Sequence, residues 1–250
     1  MNQNLIQYIF GVADNCLILG QRLGELCGHG PSLETDIALT NISLDLLGQT
    51  RSYYQYVAKL QGGDASEDTV AFLRLEREYK NVLLVEQPNT DFGYSIARQF
   101  LFDVFHLALL TELQNSKDDM LKAIANKSIK EVSYHVRFSS DWIKRLGDGT
   151  EESHQKIQTA INDLWIFTDE LFHQTDADKE MVKQGIGIDV TLLKEDYNKK
   201  INSILEEATL EIPQVEYFQK GGKLGIHSEH MGYLLSDLQY MQRTYPNMTW

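Results

Sequence analysis

The sequence predicts an all-α chain built around one helical bundle, and three observations predict it. Apolar residues recur at helical spacing through four long stretches of about 22 to 30 residues, the length scale of bundle helices. Only 4 prolines occur in 250 residues, so little interrupts those stretches. The turn signals are few and fall between them, and no segment alternates apolar and polar residues as a half-buried strand does. With 42% hydrophobic and 24% charged residues, the chain has enough apolar material for one large core. Residues 1–250 are therefore read as a single helical domain.

The first helix is expected over about 5–26, ending at Gly28-His29-Gly30-Pro31. Ser32 is the expected N-cap of the second, over 32–60, with Glu34 and Asp36 in the first turn where the helix dipole favours acids. It stops at Gly62-Gly63. A shorter helix is expected from Asp68 to Lys80. Pro88-Asn89-Thr90 then opens the third long helix, over 91–115, and the fourth spans 117–146, up to Gly147-Asp148-Gly149. The remaining helices are expected over 151–172 behind the Thr150 cap, 176–184, 189–208 and 228–243. Between the last two, Ile212 to Val215 is extended and Lys220 to Gly225 is a loop. The prediction is thus four bundle helices, extra helices over 151–250 and a short C-terminal extension. The insert at 62–90 forms the long connection between the second and third helices, where ferritin-like bundles carry their crossover.

Charge and cysteine content narrow the function classes. A net charge of −13 and a pI near 4.9 disfavour nucleic-acid binding, which needs a basic face. Cys16 and Cys27 match no zinc spacing and point to a reducing compartment. No targeting segment opens the chain and no run of about 18 apolar residues occurs, so the expectation is a cytoplasmic protein with no membrane association.

Acidic residues interrupt the apolar face of all four long helices. Asp14 shares a stripe with Phe10, Leu17 and Gln21. Asp45 is wedged among Leu44, Leu46 and Leu47. Asp103 and His106 lie with Ile96, Phe100, Leu107 and Leu110. Glu131 and His135 lie with Ile124, Ser128, Phe138 and Trp142. Ferritin-like di-metal proteins use this placement, with one Glu from each of two helices and a Glu-x-x-His pair from each of the other two. Oxygen donors with two imidazoles suit iron or manganese. Here the pattern is damaged. Gly48 stands where the second helix needs His, and Tyr134 stands where the fourth needs it, with His135 one residue late. Three of the four acids are the shorter Asp. The expectation is a ferritin-like bundle whose ligand-like cluster (Asp14, Asp45, Asp103, His106, Glu131, His135) is degenerate and holds no metal. Buried acids still need partners. For Asp14 the candidates are a local backbone group or Arg22, and for Asp45 they are Arg51 or a neighbouring helix. The acids are expected to sit in one polar core satisfied by His106, His135, Tyr134, Gln21 and Asn41.

Several separate segments carry a resemblance. They are Asp14 to His29, Asp36 to Arg51, Leu84-Val-Glu-Gln-Pro-Asn89, Arg145 to Ser153, and Gly221 to His230. Across nearly its whole length the chain resembles the structural-subunit family of the bacterial phenylacetyl-CoA epoxidases (ring 1,2-monooxygenases). That resemblance implies a multicomponent monooxygenase of aerobic phenylacetate catabolism. A separate catalytic subunit would hold the di-iron centre, a reductase would bring electrons from NADPH, and this chain would pair with the catalytic subunit and support it. It implies no catalytic residue and no cofactor in this chain, with the reductase an indirect partner.

Two features stay open at this level. The loop Lys220-Gly221-Gly222-Lys223 offers backbone amides and two lysines, which fit a phosphate of coenzyme A, a docking contact or a plain turn. Tyr53-Tyr54-Gln55-Tyr56 and Phe138 to Trp142 are candidates for an interface or for intrachain core. The competing functions are an independent di-metal oxidase or oxygenase using the six ligand-like residues, and a ferritin-like homo-oligomeric storage protein.

Overall fold

The computed structural model describes residues 2–246 and 248. Among the described residues there are ten α-helices: α1 (Asn2–Gly24), α2 (Leu33–Gln61), α3 (Glu67–Phe72), α4 (Leu83–Glu86), α5 (Phe92–Leu113), α6 (Asp119–Gly147), α7 (Glu151–Trp165), α8 (Asp176–Gln184), α9 (Lys194–Glu207) and α10 (Glu229–Thr244). No strand occurs among the described residues. Side chains set the helix starts. Ser32 accepts from the Thr35 amide, Asp91 from Tyr94, and Asp118 from both Met120 and Leu121. Thr150 with Ser153, and Thr175 with Asp178, form reciprocal capping boxes.

The fold is a ferritin-like helical bundle. Cross-helix bonds fix its topology. Ser43 donates to the Gly20 carbonyl and Tyr54 to Asp14, so α1 and α2 run antiparallel. Ser139 bonds Asp103 and Gln114 bonds Asn126, so α5 and α6 do too. The two pairs meet along α2 and α6, again antiparallel, with Tyr56 reaching Asp118 at one end and Asp45 meeting His135 in the middle. On the far side α4 bridges α1 and α5. Helices α7 and α9 cover α5 and α6, α8 lies on α1, and α10 packs on α3. One continuous apolar cluster fills the interior, including Ile9, Leu46, Tyr53, Phe100, Val132 and Ile161. Each such side chain contributes about 1.5–3 kcal/mol on burial.

Three expected helices are shorter than their apolar pattern, of which 189–208 opens as a 3₁₀ turn at Val190–Leu193 before α9. The stretch 68–80 is helical only to Phe72, followed by a 3₁₀ turn at Glu76–Glu78. The break lets Arg74 turn into the protein. The stretch 151–172 leaves the α-helix after Trp165 and ends in a 3₁₀ turn at Asp169–Phe172, which carries Glu170 inward to a fully buried position.

Candidate functional site

The ligand-like residues do not form the single polar core expected of them. They fall into two regions that no hydrogen bond among the described residues joins, and the second holds two separate sets, one linking Asp103, His135 and Asp45 and the other linking Glu131, Gln49, Cys16 and His106.

The first region surrounds Asp14. Its carboxylate is fully buried and accepts from Arg74 Nη2 (2.7 Å) and Nη1 (2.9 Å), from Tyr54 Oη (2.5 Å) and from the Lys80 amide (2.7 Å). Arg74 lies 4.1 Å from the ring centres of both Phe10 and Tyr79. The paired charges offset the desolvation that each would otherwise suffer alone. The partner is therefore Arg74 and not Arg22, which instead binds Glu25 and the Glu86 carbonyl. With its oxygens fully engaged, Asp14 has no lone pair aimed at the bundle axis.

The second region lies at the bundle centre. Asp103 accepts from Gln99 Nε2 (2.6 Å) and Ser139 Oγ (2.9 Å). Burial pushes its carboxyl up to about 7, against the pull of His135, Ser139 and Gln99. Burial and the neighbouring His135 hold His106 down at about 3, so its ring is neutral, with Nε2 3.8 Å from Cys16 Sγ. His135 Nε2 lies 3.1 Å from Asp45 Oδ2. Glu131 accepts from Gln49 Nε2 (3.4 Å), and its carboxyl is raised chiefly by partial burial and then by Asp45. Gln99 Oε1, His106 Nδ1 and His135 Nδ1 are buried without a hydrogen-bond partner.

Of the expected partners, only the histidines take part in these bonds. Tyr134 and Asn41 point outward, and neither they nor Gln21 has a side-chain bond to an acid. Gln49, Gln99, Ser139 and Cys16 stand in their place. Gln99 and Ser139 each sit one helical turn from a residue already singled out, a spacing that could have identified them. Arg74 offered no such signal, being 60 residues from Asp14 in an irregular segment. Of the two aromatic stretches, Tyr53 and Tyr54 are intrachain core, while Phe138 and Trp142 are half-buried.

The donor set does not fit a di-metal centre. Asp14 is committed to Arg74, Gly48 offers no donor, Tyr134 faces outward, and Asp45 is tied to His135. Among the described residues no group of three or more His, Cys, Asp or Glu side chains has an arrangement that could hold a metal ion.

Of the readings left open for the Lys220–Lys223 loop, the geometry favours the turn. Its amides cradle an anion, but the anion is the protein's own Glu170. The Gly221 amide donates to Glu170 Oε1 at 2.7 Å, and the Leu83 amide donates to Oε2 at 2.7 Å. Lys223 is buried, with Nζ donating to the carbonyls of Leu171 and His173, so it is not free to meet a phosphate. Gly222 lies so close to the Asn81 carbonyl that a Cβ there would collide with it. Just beyond, His227 Nδ1 meets Glu86 Oε1 at 2.5 Å, while the Ser228 amide and hydroxyl both donate to Glu86 Oε2. The segment Leu84 to Asn89 is thus a structural lock. Glu86 holds the C-terminal segment, Gln87 O accepts from the buried Arg98, and Asn89 binds both Arg98 and the Arg22 carbonyl.

A family model described as Phenylacetic acid catabolic protein matches residues 1–250. The chain belongs to that family. Within the phenylacetic acid catabolic family, one of the subunits of the 1,2-phenylacetyl-CoA epoxidase of Escherichia coli (strain K12) is 50% identical to it over 250 residues, 100% of both chains. The resemblance read from the sequence segments is borne out. No helix among the described residues is long and apolar enough to cross a membrane.

Proposed function

We propose that this family member is the non-catalytic, structural subunit of a multicomponent phenylacetyl-CoA ring epoxidase, a complex of aerobic phenylacetate catabolism, and that it binds no metal of its own. It pairs with a di-iron catalytic subunit and meets the reductase only through that partner. The observation that carries the reading is the commitment of Asp14 to Arg74, Tyr54 and the Lys80 amide. One corner of a four-helix ligand set has been converted into a buried ion pair. The full-length likeness to an epoxidase subunit supplies the chemical context. Helices that bear metal ligands must be held within a fraction of an ångström, and a second bundle packed against them supplies that constraint.

The test is an epoxidation assay with purified catalytic subunit and reductase, with and without this chain. Turnover of phenylacetyl-CoA is expected only when the chain is present, and none from the chain with reductase alone. Turnover by the chain in the absence of the catalytic partner contradicts the proposal.

A further inference from the structure

Helix α2 is apolar on two opposite faces. Leu39, Ile42, Leu46 and Tyr53 fill the interior, while Leu33, Ile37 and Leu44 point outward with 72%, 51% and 60% of their surface exposed. With Asn41 and Gly48, these outward residues follow steps of four, four, three and four, so they line one stripe along about four turns. No charged residue interrupts it. A solvated helix of an acidic chain normally carries its charges on that face.

The neighbouring α6 supplies the other half of the surface. Its outer ridge presents Lys127, Lys130, Tyr134, Arg137 and Arg145, with Asp141 the acid among them. Tyr134 is 37% exposed and lies beside Arg137, whose guanidinium is 5.5 Å from its ring centre. In a chain of net charge −13 this ridge is a basic island. Between the helices Thr35 and Ala38 face Phe138 and Trp142 across a shallow groove, with Glu34 at its rim. Asp45 and Glu131, the remaining acids of the seam, are turned to His135 and Gln49. Arg51, at the far end, is paired with Glu67.

We infer that the α2–α6 face is the docking surface for the catalytic subunit, which meets it with apolar helix residues flanked by carboxylates. This rests on the proposed pairing and names the surface that makes it. The charge decides the occupant. An isologous contact between two copies of this chain would set the α6 ridges or the uncharged α2 stripes against one another, with no acid on the outer stripe to compensate the bases. A partner with acidic flanks neutralises the ridge, while Leu33, Ile37 and Leu44 supply apolar anchors and Tyr134 and Arg137 the residue types enriched at such contacts. Gly48 has open space where a Cβ would lie, so a partner helix can approach closely beside Asp45.

The test is the affinity of full-length chains for the purified catalytic subunit, measured by analytical ultracentrifugation. The Ile37→Glu/Leu44→Glu double variant is expected to raise Kd about thirtyfold or more, the effect of losing a buried anchor. Arg137→Glu is expected to weaken binding and to flatten its salt dependence. Tyr233→Ser, on α10, is expected to leave affinity unchanged. Circular dichroism and thermal melting check that each variant is folded. Hydrogen exchange of the wild-type chain, with and without the partner, is expected to show protection over 33–48 and 127–145. Wild-type binding that survives both the double variant and Arg137→Glu, with protection elsewhere, overturns the assigned surface and leaves the subunit reading standing. A self-dimer dissolved by the double variant makes a second copy the occupant and also overturns it. Failure of the wild-type chain to bind the catalytic subunit at all defeats the underlying reading instead.

Discussion

At Asp14 the carboxylate is half of a buried ion pair with Arg74. Breaking such a pair on one side leaves an uncompensated buried charge. Arg74→Met is therefore expected to destabilise the fold by about 3–5 kcal/mol, and adding Asp14→Leu is expected to recover most of the loss. Urea denaturation of the single and double variants measures this, and a double variant no more stable than Arg74→Met contradicts it. His227 behaves differently because both of its ring nitrogens face acceptors, Glu86 Oε1 and the Tyr79 carbonyl (3.1 Å). Burial opposes the charged ring, but the Glu86 hydrogen bond and charge, the Tyr79 carbonyl and Glu76 outweigh it, so its pKa lies above the ordinary imidazole value. A raised folded pKa means the stabilisation is complete below the unfolded value, near about 6.5, and is lost as pH rises through the folded value. An NMR titration of the ring is expected to place its midpoint above that of a free imidazole, and amide protection over 221–244 is expected to weaken through the same pH range. A midpoint below the free value contradicts the assignment. The inward acids and histidines were legible from helical periodicity alone. Arg74, the partner of Asp14, was not, because it lies in a connection whose geometry depends on the tertiary contacts themselves.

The four bundle helices and the site of the long crossover were legible as elements, because caps and Gly or Pro stops mark their ends within two or three residues. The insert was not. Its pattern continues past Leu73, yet the chain leaves the helix there so that Arg74 can reach Asp14, a tertiary bond that outweighs local propensity. The glycines of the 221–225 loop left an anion cradle, a docking contact and a plain turn open, and the partner of its Gly221 amide, Glu170, could not be read from the sequence. Gly222 is required there for the close approach to Asn81. Gly222→Ala is expected to cost about 1–3 kcal/mol by overpacking, lowering Tm by several degrees and loosening exchange protection over 221–244. Differential scanning calorimetry checks it, and an unchanged Tm shows that the loop has room to shift.

At the scale of the whole molecule, the ferritin-like bundle has a polar interior bonded largely to itself, with Gln99 Oε1, His106 Nδ1 and His135 Nδ1 left unpartnered. Asp103 with Gln99 and Ser139, and Asp45 with His135, take up donors and acceptors that a metal would otherwise organise. On the outside, adjacent long helices expose the apolar stripe of α2 and the basic ridge of α6, on which the proposed docking surface rests. The most direct measurement is the iron content of the purified chain, alone and in complex with the catalytic subunit, by plasma mass spectrometry. Far less than one iron per chain is expected in isolation and about two per catalytic subunit in the complex, all retained by that subunit on separation. About two irons per isolated chain, lost on Asp45→Leu, would contradict a metal-free structural role.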